Sequence, residues 1–199
     1  MTRLTKGQNI QKIPNTKDEM TQQLNDFIES GTKLIEDTVS MGPLPLHVTC
    51  YLSTELPPAN YVTSVRAIVF QDNSVLVVTQ PYGLMTILPG GQVEQGETLE
   101  KTLQRELLEE TGWVLSNTSF LGFIHLHHLG PKPENFKYLY PDFIWSIYTA
   151  EAEHYLPEKM KYDEYVSESS FQPFDDIKNL PIDKGQLLLL ESALKKHNS

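Results

Sequence analysis

The amino-acid sequence predicts an α/β layered fold, and three observations carry that reading. The first is a set of β-rich runs at residues 62–70, 75–79, 120–128 and 143–150. The second is a pair of segments at 99–111 and 187–196 with helical spacing of their apolar residues. The third is composition: 199 residues with 39% apolar and 21% charged side chains are long enough and apolar enough for one sizeable core plus an extension.

Residues 1–60 read as an N-terminal extension. Residues 1 to about 15 are a loose leader. Thr16 and Glu19 have capping-box spacing, so each satisfies a free backbone N–H at a helix start. Met20, Leu24, Phe27 and Ile28 then fall on one helical face. Gly31 interrupts the pattern, Leu34, Ile35 and Val39 continue it, and Gly42, Pro43 and Pro45 end it, which predicts a helix over about 17–39. In 46–52, Leu46, Val48, Cys50 and Leu52 alternate with His47, Thr49 and Tyr51, the pattern of a half-buried strand. Pro57, Pro58 and Asn60 mark a linker.

The main domain is expected over 61–199. Its first two strands flank Asp72-Asn73, a hairpin signal. A short strand at 86–88 runs into Pro89-Gly90-Gly91. The helix at 99–111 has Thr98 at its N-cap and Gly112 just past its end. Strands at 120–128 and 143–150 enclose a proline-containing loop, 130–141, and a last strand is expected within 165–174. The closing helix carries lysines in its final turn, where the helix dipole favours them.

A net charge of −10 argues against a general nucleic-acid binder, which carries a basic footprint. An anionic substrate stays compatible, because bound divalent cations invert the local field. Cys50 is the single cysteine, so an intrachain disulfide and an all-cysteine zinc site are excluded. Residues 1–10 are polar, without a signal-peptide core, and no stretch has the length of a membrane span. The expected setting is cytoplasmic.

The chemistry concentrates in GQVEQGETLEKTLQRELLEETGW, residues 91–113. On a helix Glu106, Glu109 and Glu110 stand at i, i+3 and i+4 and share one face. Leu99, Leu103 and Leu107 form the apolar stripe that would dock the helix on the sheet. The like-charge pair Glu106/Glu110 costs an isolated helix about 0.2–0.5 kcal/mol, and such a local penalty is expected at functional positions. Three carboxylates in one turn offer hard oxygens suited to Mg²⁺ or Mn²⁺. Taken alone, the cluster is equally well read as a solvated acidic face.

The spacing goes further. The stretch resembles the Nudix box, G-x₅-E-x₇-R-E-U-x-E-E-x-G-U with U apolar, and Gly91, Glu97, Arg105, Glu106, Leu107, Glu109, Glu110, Gly112 and Trp113 fill every specified position. At roughly 1 in 15 for each residue-specific position, chance agreement at a given start is on the order of 10⁻⁸. The resemblance covers about 61–196 and leaves residues 1–60 outside. It implies an α/β/α sandwich around a mixed sheet, and a hydrolase that cuts a diphosphate linkage in a nucleoside diphosphate joined to another moiety. It also implies that Glu106, Glu109 and Glu110 ligate Mg²⁺, with Mn²⁺ as a substitute. The Gly90 carbonyl matches a further ligand, and is equally read as a plain turn residue. Arg105 matches the arginine that pairs with Glu97 and braces the loop against the helix. A Nudix-fold nucleotide-binding module without turnover is the alternative, although such modules usually lose box glutamates and this chain keeps them all.

Outside the box the signals are weaker. His125 and His127 share a strand face while His128 points away, and with no carboxylate at matched spacing a surface or core role is expected. Tyr138, Tyr140, Phe136 and Trp145 could stack on a base, with packing of the long hairpin as the plainer reading. The catalytic base is expected among the acids of 151–168, with Glu164 first and Glu168 second, although loops of this composition are usually only solvated. The extension is expected to pack on the domain or on a second copy, which would make a homodimer.

Overall fold

The computed structural model describes residues 16–41, 44–132, 134, 136, 139–161 and 168–197. Helix α1, Lys17–Ser30, begins with a complete capping box: Glu19 N donates to Thr16 Oγ1 at 3.2 Å, and Thr16 N to Glu19 Oε2 at 3.2 Å. The helix stops at Gly31, eight residues before the predicted end, and Thr32–Met41 is strand β1. Two physical reasons explain the difference. Four of these ten residues, Thr32, Ile35, Thr38 and Val39, are β-branched and prefer strand backbone. The register also shifts between Lys33 and Ile35, and the adjacent Leu34 and Ile35 both reach the core, which hides the strand's alternation in the sequence.

Strand β2, Leu44–Leu52, pairs antiparallel with β1 and then with β7, Trp113–His128, through partners running from Leu46/His128 to Leu52/Gly122. Strands β3 (Val62–Gln71), β4 (Ser74–Thr79), β5 (Met85–Thr86) and β6 (Gly90–Gln92) follow in the chain, with β8 (Asp142–Tyr155) and β9 (Glu168–Pro173) after β7. The β3–β4 turn is the expected Asp72-Asn73, with Asp72 at φ +50°. The main path of this mixed sheet is β1-β2-β7-β8-β3-β4-β5, with β6 on β3 and β9 on β4. Among the described residues, only the β3–β8 pairing is parallel.

Helices cover both faces. Successive side chains of β3 alternate between the layers, as the pleat requires. Val65, Ala67 and Val69 meet Leu103 and Leu107 of helix α2, Leu99–Thr111, which has the predicted boundaries. Ile68 and Phe70 face the other way, toward Leu189, Leu190 and Ala193 of helix α4, Lys184–His197. A one-turn helix α3, Phe174–Ile177, precedes it. On the α2 side, α1 buries Leu24 and Phe27 against Tyr61, Phe123 and Ile144. Residues 32–52 thus continue the sheet of the main domain rather than standing apart from it. No helix among the described residues is long and apolar enough to cross a membrane.

Candidate active site

The site is assembled where the loop before α2 passes under β3. Gly90 lies opposite Arg66 in the β3–β6 pairing with φ +133°, and a Cβ there would stand 2.2 Å from the Val65 carbonyl oxygen. Only glycine fits that approach. At Gly91 a Cβ would meet the Glu106 carboxyl group at 2.3–2.6 Å, so the bare backbone makes the seat for that carboxylate. Ser64 Oγ fixes the loop by donating to the Gly91 carbonyl at 2.9 Å.

Helix α2 presents its acids to this loop because its apolar stripe is anchored on the sheet. Leu103 and Leu107 are fully buried. Thr98 caps the helix by accepting from Lys101 N at 3.3 Å, and Gly112 closes it at φ +75°. Arg105 grips Glu97 with two hydrogen bonds, Nε to Oε1 at 2.8 Å and Nη2 to Oε2 at 2.9 Å. Its Nη1 donates to Glu106 Oε1 at 2.8 Å and its Nη2 to the Gln92 carbonyl at 3.1 Å. One guanidinium therefore ties the start of the loop, its acidic middle and the helix together. Hydrogen bonds from Arg105 hold Glu97 at about 2, against an ordinary 4.5, while Glu97 in turn raises the pKa of Arg105.

The three box carboxylates each have a donor. Glu110 Oε2 accepts from Gly90 N at 2.9 Å, Glu109 Oε1 from Lys161 Nζ at 2.5 Å, and Glu106 from Arg105. Among the described residues, no three carboxylate, imidazole or thiolate groups converge as a metal cage. The donor set still suits a hard divalent cation: all oxygen, three charges in one helical turn, a glycine seat under one carboxylate, and Lys161 and Arg105 already drawn to the same charge.

Glu106 and Glu110 border a cavity of about 850 Å³ whose walls include Arg66, Gly90, Trp145 and Gln186. That size lies within the range of small-molecule sites, about 300–1,000 Å³. Arg66 was not singled out by the sequence reading, although a lone charge inside the run 62–70 was a usable signal. Its guanidinium stacks 4.3 Å from the Trp145 ring centroid, and Nη1 donates to the Leu88 carbonyl at 3.0 Å. Its buried Nε has no hydrogen-bond partner among the described residues. Burial pushes the guanidinium pKa down, and the charges of Glu110 and Glu106 oppose that shift. Trp145 is brought to the cavity. Tyr140 is not among the residues lining it: its hydroxyl donates to the Gly130 carbonyl and its ring packs near His128. Tyr138 and Glu164 lie outside the described residues, and Glu168 is exposed on β9.

The missing carboxylate beside the histidines is Asp142. Strand β8 carries it next to β7, where His125 Nε2 and His127 Nδ1 each lie 2.8 Å from its Oδ1, a partnership of sheet register that spacing within one strand cannot reveal. Burial raises the Asp142 pKa, but the two imidazoles outweigh it and hold the carboxyl below its ordinary range.

The fold and the box define the class. The NUDIX domain family model matches residues 60–192, and the chain belongs to the Nudix family. It is 40% identical over 62 residues to an ADP-ribose pyrophosphatase of Methanocaldococcus jannaschii, a match spanning 30% of this chain and only 37% of that relative. It is 26% identical over 141 residues to the Nudix hydrolase YvcI of Bacillus subtilis, covering 68% of this chain and 81% of that protein. Among solved structures, its fold is similar to the Bacillus subtilis pyrophosphohydrolase BsRppH, with a TM-score of 0.57 and 18% identity over 82% of this chain and 98% of that one. It is also similar to a NUDIX hydrolase from Nitrosomonas europaea, with a TM-score of 0.52 and 20% identity over 68% of this chain and 90% of the other.

Proposed function

We propose that this protein hydrolyses a diphosphate linkage in a nucleoside diphosphate derivative, with Mg²⁺, or Mn²⁺ in its place, held by Glu106, Glu109 and Glu110 and by the Gly90 carbonyl. The observation that carries the reading is the Glu106 carboxylate, seated on Gly91 and braced by Arg105, at the edge of a cavity large enough for a nucleotide. When bound, Mg²⁺ supplies charge neutralisation at the diphosphate oxygens and a lowered pKa for the attacking water.

The chain's own residues do the rest. Arg105 fixes loop and helix relative to each other, so the carboxylates need little reorganisation when a cation arrives. Lys161, paired with Glu109, is a cation beside the carboxylate turn that would meet a phosphate oxygen if Glu109 held a metal ion. The water's proton goes to a carboxylate, for which Glu164 is our candidate, with Glu168 second. ADP-ribose is the first substrate to try, since one relative is an ADP-ribose pyrophosphatase.

The test is a panel of ADP-ribose, other nucleoside diphosphate sugars, dinucleoside polyphosphates and nucleoside triphosphates, with and without Mg²⁺, followed by product identification. Wild type should release product from at least one, and Glu106→Gln and Glu109→Gln should lose turnover with melting temperature unchanged. Metal-independent turnover, or activity within threefold of wild type in both variants, would overturn the assignment. Binding without any turnover would make the protein a nucleotide-binding module instead.

A further inference from the structure

A second chamber, of about 280 Å³, adjoins the carboxylate cavity. The two share Arg66, Thr86, Leu88, Trp145, Asp183 and Gln186 as walls, so they adjoin along a common boundary. The far wall comes from outside the stretch that the family model matches. Ile35 and Val39 of β1 and Val48 and Cys50 of β2 close it, while the family match begins at residue 60.

We propose that the β1–β2 hairpin is a specificity element of this enzyme, and that the chamber it closes seats the nucleobase end of the substrate whose diphosphate lies at the box carboxylates. This inference rests on the hydrolase reading above.

Four features fix the kind of occupant. The hairpin side of the chamber is aliphatic apart from Asp37 and Cys50, and Trp145 adds an aromatic wall, which suits a planar group. Polar groups stand among the apolar ones, with Arg66, Thr86, Asp183 and Gln186 at the shared boundary, the pattern by which small-molecule sites orient a ligand edge. Gln186 Oε1 accepts from Thr86 Oγ1 at 2.9 Å and from Ile87 N at 2.8 Å, so that side chain is held in place rather than loose. Arg66 lines both chambers with a buried Nε–H that has no acceptor among the described residues. A buried donor left unpaired is costly, and a ligand acceptor at the shared boundary relieves it.

Asp37 and Asp183 stand in the chamber walls beside Arg66 and Lys184, so the lining is balanced in charge and offers both acceptors and donors to the edge of a neutral base. The same hydrophobic surroundings show in Cys50, whose thiol burial and the Asp183 charge push up to about 12. The chamber is also closed at its base: a Cβ at Gly185 would stand 2.9 Å from Cys50 Sγ, so the start of α4 presses directly on β2.

The experiment reads occupancy without turnover. The protein has two tryptophans, so Trp113→Phe leaves Trp145 as the sole indole. In that background, AMP, GMP, CMP and UMP are titrated in Mg²⁺ while Trp145 fluorescence is followed, with inorganic pyrophosphate as the base-free probe. At least one nucleotide should change the signal saturably. Ile35→Phe and Val48→Phe, which fill the chamber from the hairpin, should each weaken that nucleotide by about tenfold or more, the order a few misplaced carbons in an apolar pocket produce. Inhibition by pyrophosphate should be unchanged. Val39→Phe, at a more exposed position, replaces either variant that fails to fold, as judged by circular dichroism. No response to any nucleotide, or equal affinity in the filled variants, overturns the proposal. Nucleotide binding lost on filling, together with no cleavage of any diphosphate, would sink the hydrolase reading and leave the chamber standing.

Discussion

Gly91 and Glu106 show how one missing side chain seats the carboxylate proposed to bind the metal. The Glu106 carboxyl group occupies the space a Cβ at 91 would take, and Arg105 holds it there. Gly91→Ala would therefore push the end of a flexible side chain rather than backbone. The expected result is a folded protein whose turnover falls by about 10²-fold, the scale of an ångström-level misplacement, with weakened Mg²⁺ affinity. Calorimetry and a metal titration check this, and a variant with wild-type turnover would show that the seat does not matter. Leu107, one position along, acts on the other side of the helix. It is fully buried against β3, so Leu107→Ala should cost about 2–5 kcal/mol of stability by denaturant unfolding.

Among the elements, the β1–β2 hairpin is tied to the domain by the β2–β7 ladder, and Gly122 is its tightest point. A Cβ at 122 would stand 2.0 Å from the Tyr51 carbonyl oxygen, which is backbone and cannot swing aside. Gly122→Ala should pry β2 from β7. We expect faster hydrogen exchange across Leu46–Leu52 than across β3, whose amides lie between β8 and the β4/β6 strands. Uniform protection in the variant would contradict this. The same hairpin illustrates what was hidden in the sequence. Helical spacing and strand pairing compete over 32–41, and the partner strand, paired from Met41/Leu44 out to Thr32/Leu52, decides between them.

The whole molecule carries a net charge of −10, and its acid stability depends on carboxylates with partners. Glu97 is held at about 2 by Arg105, from an ordinary 4.5. A depressed folded-state pKa gives stability that is fully present above the unfolded value and is lost as pH falls through the folded one. The contribution of Glu97 should therefore fade between about pH 4.5 and pH 2, and Asp142, also lowered, adds to the same acid-side loss. Melting temperature measured across that range should fall in wild type and fall less steeply in Glu97→Gln. Parallel curves for the two proteins would rule out this origin.

Much of the site lay within one stretch of sequence. The shared face of Glu106, Glu109 and Glu110, the cap at Thr98, the stop at Gly112 and the leucine stripe all follow from a 3.6-residue period, because a helix is closed by its own local hydrogen bonds. The spacing of the box residues likewise carries the family resemblance within one stretch of sequence. What pairs across the sheet could not be read that way. Asp142 meets His125 and His127, Arg66 meets Trp145, and Ile35 joins Cys50 and Gln186 around one chamber through contacts between strands and helices distant in the chain. Those partners are chosen by register and layer packing, and in a sheet neither is encoded by local spacing: the tertiary structure alone decides which distant residues become neighbours.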